Sequence, residues 1–146
     1  MSGRNLRDIG YEGKSIDDVV ASLHDWGVGT LIDVRLNAIS RKKGFSKTAL
    51  RTGLESNGLR YLHLPQLGNP KDNRAGFYNP GTPAATTAHE NYLRVLEEPA
   101  ALAAMDEIEH LAMTSGAALL CFEAHRSMCH RDLVLQRMLD WTLALA

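Results

Sequence analysis

Four short apolar runs recur along this chain, and each is followed by a polar loop and then by a segment of helical period. "LRDIG", "TLIDVRL", "LRYLHL" and "AALLCF" read as strands. Between the first two lies "SIDDVVASLHDWGVG", where Ile16, Val19, Val20 and Leu23 fall on one helical face. Ser15 and Asp18 have the spacing of a capping box, and Gly27 is a natural stop. Ser46 is placed to cap "KTALRTGLESNG", and further helices are expected near Thr87–Leu96 and Ala100–Thr114. Ser127 is placed to cap a last helix with Leu133, Val134, Met138, Trp141 and Leu145 on one face. Strands that alternate with helices predict an α/β fold: a mostly parallel sheet of about four to five strands with helices on both faces.

At 146 residues the chain suits a single domain, 1–146, with room for a real core. Its apolar share of 45% is ordinary for a globular protein, and its net charge of −1 excludes a general polycation. Two cysteines are too few for a disulfide scaffold. "MSGRNLRDIG" lacks a signal peptide's apolar core, and no apolar run reaches the roughly 18 residues of a membrane span. A cytoplasmic protein with reduced thiols, and no contact with membrane, is therefore expected.

A parallel sheet binds ligands beyond the carboxyl ends of its strands. The loops at those ends read "YEGKS", "NAISRKKGFS", "PQLGNPKDNR" and "EAHRSMCHR", whereas the returning loops are only "GVG", "NG" and "SG". Polar chemistry is thus concentrated at one rim. The last loop holds Cys129, His130, Arg126 and Arg131 close to the expected start of the last helix, where anions bind and a thiol is acidified. Cys129 is then a reserve nucleophile or, alternatively, a buried thiol beside structural ion pairs. Cys121, inside an apolar run, is expected in the core.

The second loop, from Arg35 through Arg41 and Lys47 to Arg51, has no acidic residue and forms a basic patch. Arg35 ends a buried strand, so it needs an anionic ligand or a carboxylate, with Glu123 the evident partner. Asn69, Lys71 and Arg74 in the third loop, and Tyr11 in the first, complete a set for substrate binding, with Tyr11 stacking on a base or sugar or else packing on the sheet edge. The third loop, residues 65–85, is rich in Gly, Pro and Asn. Glu12 and Glu123, two carboxylates in one crevice, with His130, are the acid–base candidates. No Walker or Gly-x-Gly-x-x-Gly signature is present, and no cofactor is expected.

Two further readings stay open. Cys121, His125, Cys129 and His130 have a spacing that zinc tolerates, although neighbouring Cys129 and His130 point apart at a helix start, so no metal is assigned. "LIDVR" and "CFEAHR" also resemble pieces of rhodanese-like domains, which would imply sulfur transfer.

Taken together, "IGYEGKS", "LIDVRLNAISRKKGFSK", "YLHLPQLGNPK" and "CFEAHRSMCHR" resemble the family catalogued as domain of unknown function 488, over about Ile9 to Leu135. Gly10, Tyr11, Asp33, Arg35, Arg41, Gly44, Phe45, Leu64, Pro65, Gly68, Cys121, Glu123, Cys129, His130 and Arg131 fall on that family's motif, while Gln66 stands where the family commonly has Glu. The resemblance implies an α/β domain and leaves the activity open. The expected function is an enzyme acting on a phosphate-bearing or other anionic substrate, a nucleotide or nucleic acid. The alternative is a nucleic-acid-binding module without turnover.

Overall fold

The computed structural model describes residues 4–145, with side chains through Asp140. Four parallel strands, β1 (Leu6–Gly10), β2 (Thr30–Asp33), β3 (Arg60–His63) and β4 (Ala117–Cys121), pair in the order β1-β4-β2-β3. The last strand in sequence thus enters the middle of the sheet. Its Leu119 and Leu120 stand opposite Asp8 and Ile9 on one side and Ile32 and Asp33 on the other. The two central strands are buried on both faces, as their continuous apolar runs require.

Helices cover both faces. α1 (Ile16–Trp26) and α2 (Lys47–Glu55) lie on one, where Val19, Leu23, Leu50 and Leu54 meet Leu31, Ala118 and Leu120. α3 (Pro83–Leu96), α4 (Pro99–Thr114) and α5 (Arg131–Leu145) lie on the other, where Tyr92, Met105, Ile108 and Val134 meet Ile32 and Leu119. No helix among the described residues is long and apolar enough to cross a membrane.

Local chemistry explains most element ends. In α1 the Ser15 hydroxyl accepts from the Asp18 N–H, the Asp18 carboxylate accepts from the Ser15 N–H, and Gly27 closes the helix at φ 68°. Ser46 precedes α2 but makes no cap; its hydroxyl donates to the Ser40 carbonyl and accepts from the Ser40 N–H. α3 begins at Pro83, earlier than its apolar period suggests, because proline suits the first helical position and Thr82 Oγ1 accepts from the Ala85 N–H. The Gly/Pro/Asn-rich loop before it is ordered by three 3₁₀ turns, Pro65–Leu67, Lys71–Asn73 and Ala75–Tyr78.

The last helix departs from expectation. Ser127 does not cap it. Residues Arg126–Met128 form a separate 3₁₀ turn, Cys129 is extended, and α5 starts at Arg131. Leu133, Val134 and Met138 are buried as expected. The side chains of Trp141 and Leu145 lie outside the described residues.

Candidate functional site at the strand ends

Two glycines let the loops converge. A Cβ on Gly10, at the end of β1, would collide with the Glu123 carbonyl in the loop after β4. A Cβ on Gly68 would collide with the backbone of Leu36 in the loop after β2. With those clearances the loops enclose a cavity of about 260 Å³ at the carboxyl ends of the strands. Arg35, Asn69, Arg74, Tyr78, Glu123 and His130 are among the residues that line it.

Arg35 does not pair with Glu123. Asp33 and Arg35 lie two residues apart on the same side of the chain. The Arg35 Nε and Nη2 donate to Asp33 Oδ1 and Oδ2 at 2.8 and 2.7 Å, and Nη1 donates to the Tyr11 hydroxyl at 3.1 Å. The Tyr61 hydroxyl donates to Asp33 Oδ2 at 2.6 Å. Burial works against the Arg35 charge, but the Asp33 carboxylate outweighs it, so the guanidinium is more firmly protonated than usual. Burial, and then the same carboxylate, pushes the Tyr61 phenol up. Arg35 therefore reaches the cavity wall with its charge already matched.

Tyr11 has no face to offer a base. Its ring is buried, stacked on Phe45 at 4.4 Å, with the edge of Phe122 at 5.4 Å and the Arg35 guanidinium at 5.3 Å. The ring packs into the core on that side of the sheet, and the residue also lines the cavity. Glu12 accepts from the Ala124 N–H, beside Glu123, and its charge acts on the Tyr78 phenol, but it is not among the residues that line the cavity. Glu123 does line it and accepts from the Tyr78 hydroxyl at 3.2 Å. Burial, and then the Glu123 charge, raises the Tyr78 phenol.

His130 is buried, with Nε2 at 2.8 Å from the Val34 carbonyl. A carbonyl only accepts, so Nε2 carries the hydrogen. Burial drives the imidazole pKa down to about 4, with the Arg74 and Arg131 charges acting in the same sense, and the ring is neutral at neutral pH. Arg74 donates its Nε to the Asn69 carbonyl at 3.2 Å, and among the described residues its two terminal nitrogens have no hydrogen-bonding partner. Asn69 and Asn73 brace this loop, Asn73 donating to Asn69 Oδ1 and to the Ala88 carbonyl of α3.

The cysteines correct an expectation. Cys121 and Cys129 are both buried and are joined as a disulfide, so neither is a free thiol and Cys129 is not an exposed nucleophile on a helix start. Composition suggested reduced thiols, but it carries no information on proximity. The extended residue after the 3₁₀ turn brings Cys129 back over the end of β4. His125, which the zinc spacing included, is exposed and stands apart from the Cys121, Cys129 and His130 cluster.

Arg126 and Arg131 are drawn away from the cavity. Both bind Asp8 of β1, Arg126 Nη2 to Oδ1 at 2.6 Å and Arg131 Nε to Oδ2 at 2.9 Å. Arg131 also donates to Cys121 Sγ and to the carbonyls of Glu123 and Ala124, which fixes the backbone of the site loop. Arg41, Lys47 and Lys71 are exposed and lie outside the cavity.

Sequence reasoning passed over Tyr78 and the roles of Asp8, Asp33 and Tyr61. The Asp33–Arg35 spacing in a strand was a usable signal. The Asp8–Arg131 pair, 123 residues apart, offered none.

No curated protein sequence and no solved structure matches this chain. The family described as Domain of unknown function DUF488 matches residues 15–138, most of the chain and all of the loops after β2, β3 and β4. By that match the chain belongs to the DUF488 family.

Proposed function

We propose that the strand-end cavity is the active site of an enzyme acting on a phosphate-bearing substrate, a nucleotide or the end of a nucleic acid. The observation that carries this reading is Arg74. Arg74 lines the cavity, and among the described residues both of its terminal nitrogens lack a hydrogen-bonding partner, whereas Arg35 is matched by Asp33 and Arg131 by Asp8. An arginine held that way fits one anionic group, by two parallel hydrogen bonds. Glu123, half-buried in the same cavity with the Tyr78 hydroxyl donating to it, is the acid–base group. Neutral His130, anchored by Val34, lines the same wall. A volume of about 260 Å³ suits one small unit, and the exposed Arg41, Lys43 and Lys47 would meet any further phosphates.

Titration calorimetry with nucleoside mono- and triphosphates and short single-stranded oligonucleotides, alongside product analysis, tests this. Charge-assisted hydrogen bonds contribute roughly 1.5–3 kcal/mol each, so Arg74→Ala, which removes two of them, should weaken binding by about 100-fold or more. Glu123→Gln should abolish turnover and spare binding. Binding unaffected by Arg74→Ala would refute the assignment. Tight oligonucleotide binding without turnover, weakened by charge reversal at Arg41 and Lys47, would instead establish a binding module.

A further inference from the structure

We propose that, once its disulfide is reduced, the chain binds a zinc ion through Cys121 Sγ, Cys129 Sγ and His130 Nδ1, with the fourth position open to the cavity. The three ligand atoms lie within 4.8 Å of one another. His130 Nε2 is committed to the Val34 carbonyl at 2.8 Å, which leaves the Nδ1 lone pair facing Cys129 Sγ at 3.6 Å. An imidazole fixed by a backbone carbonyl through its other nitrogen is the usual support of a metal-bound histidine.

The sulfurs are supported too. Arg131 donates Nη1–H to Cys121 Sγ at 2.9 Å, and its backbone N–H points to Cys129 Sγ at 3.5 Å. Such donors stabilise thiolates. The backbone sets the two Cα atoms 7.3 Å apart, beyond the span of about 4.4–6.8 Å that disulfides usually occupy. An ion with each sulfur at about 2.3 Å takes that separation without drawing the chain inward. All three ligand residues line the cavity, so a bound ion faces Glu123 and any substrate. Three protein ligands and an open place are the arrangement of catalytic zinc, whereas structural zinc is closed by four.

The chemistry balances with a thiol as reductant. Two equivalents of RSH break the Cys121–Cys129 bond, giving two cysteine thiols and RSSR. Zinc then displaces both thiol protons to the buffer. A low-molecular-weight disulfide, RSSR, runs it the other way: it takes two electrons from the two thiolates and two protons from the buffer, leaves as two RSH, and the Cys121–Cys129 bond reforms as the ion is expelled. Disulfide and metal are therefore mutually exclusive states of one site. Ion uptake is read without any substrate, so this inference stands or falls apart from the anion reading.

The test uses the full chain, reduced anaerobically with a phosphine that does not bind metals, and titrated with Co²⁺ and Zn²⁺. The expected result is about one ion per chain, with cobalt spectra showing thiolate charge-transfer bands and a tetrahedral ligand field. The oxidised chain should take up none. Cys121→Ser, Cys129→Ser and His130→Gln should each lower affinity at least 10-fold. Where a variant fails to fold, cadmium NMR of the reduced wild-type chain reads the same donor set, two sulfurs and one nitrogen. A reduced wild-type chain that stays empty, an octahedral cobalt spectrum, or a cadmium shift of oxygen donors would overturn the proposal.

Discussion

Asp8 shows how much one side chain can govern. Its carboxylate is the shared partner of Arg126 and of the buried Arg131, and Arg131 in turn clasps the loop that carries Glu123. Removing the carboxylate leaves a buried guanidinium without its counter-charge, which typically costs about 3–5 kcal/mol. Asp8→Asn should lose stability on that scale in urea unfolding. The pH dependence follows. Burial pushes the Asp8 carboxyl up, but hydrogen bonds from Arg126 and Arg131 and their charges bring it below the ordinary value. A carboxyl depressed in the folded state contributes fully above its unfolded pKa of about 3.9, and the contribution fades as pH falls through the lower folded value. The wild-type chain should therefore lose stability steeply below about pH 4, and Asp8→Asn should flatten that limb. Partnerships of this kind are hard to read in a sequence. Asp33 and Arg35 advertise theirs by strand alternation, whereas Arg126 and Arg131 gave a sound charge pattern and a wrong destination, since only the fold brings β1 alongside β4.

Elements with their own local grammar were legible. α1 carries its cap, period and stop between Ser15 and Gly27, and β1, β2, β3 and β4 follow apolar runs bounded by Gly, Pro or polar residues. The start of α5 was not legible. Ser127 has the right chemistry for a cap, but the disulfide and the seating of His130 on Val34 are tertiary facts that extend the chain past it. The earlier start of α3 was signalled by Thr82 and Pro83, a weaker cue than the apolar period. Gly10 provides the test at this scale. Any Cβ there meets the Glu123 carbonyl, so Gly10→Ala must part β1 from the loop after β4. Overpacking of this sort costs about 1–3 kcal/mol. The expected outcome is a stability loss in that range together with weakened ligand binding, measured by chemical denaturation and calorimetry on the same protein.

At the scale of the molecule, the parallel sheet and its two helical layers were readable because alternation of strands and helices leaves few other solutions. The rim of the site was readable for the same reason: strand ends attract the long polar loops. What alternation does not give is strand order, and the order β1-β4-β2-β3 decides which loops become neighbours. Because β4 and β2 are buried throughout while β3 is partly exposed, protection should be graded. Native-state hydrogen exchange should find the slowest amides in β4 and β2, approaching the global unfolding limit, with β3 opening at lower free energy. Equal protection across all four strands would contradict that ordering.

Arg74 rides on a segment pinned twice, by Asn73 to α3 and by the close passage of Gly68 against Leu36. Its freedom was surrendered when the chain first folded, so a visitor entering the hollow has little left to organise. Association should accordingly trace a single exponential in rapid mixing, its rate climbing linearly with concentration, with no slower rearrangement trailing behind.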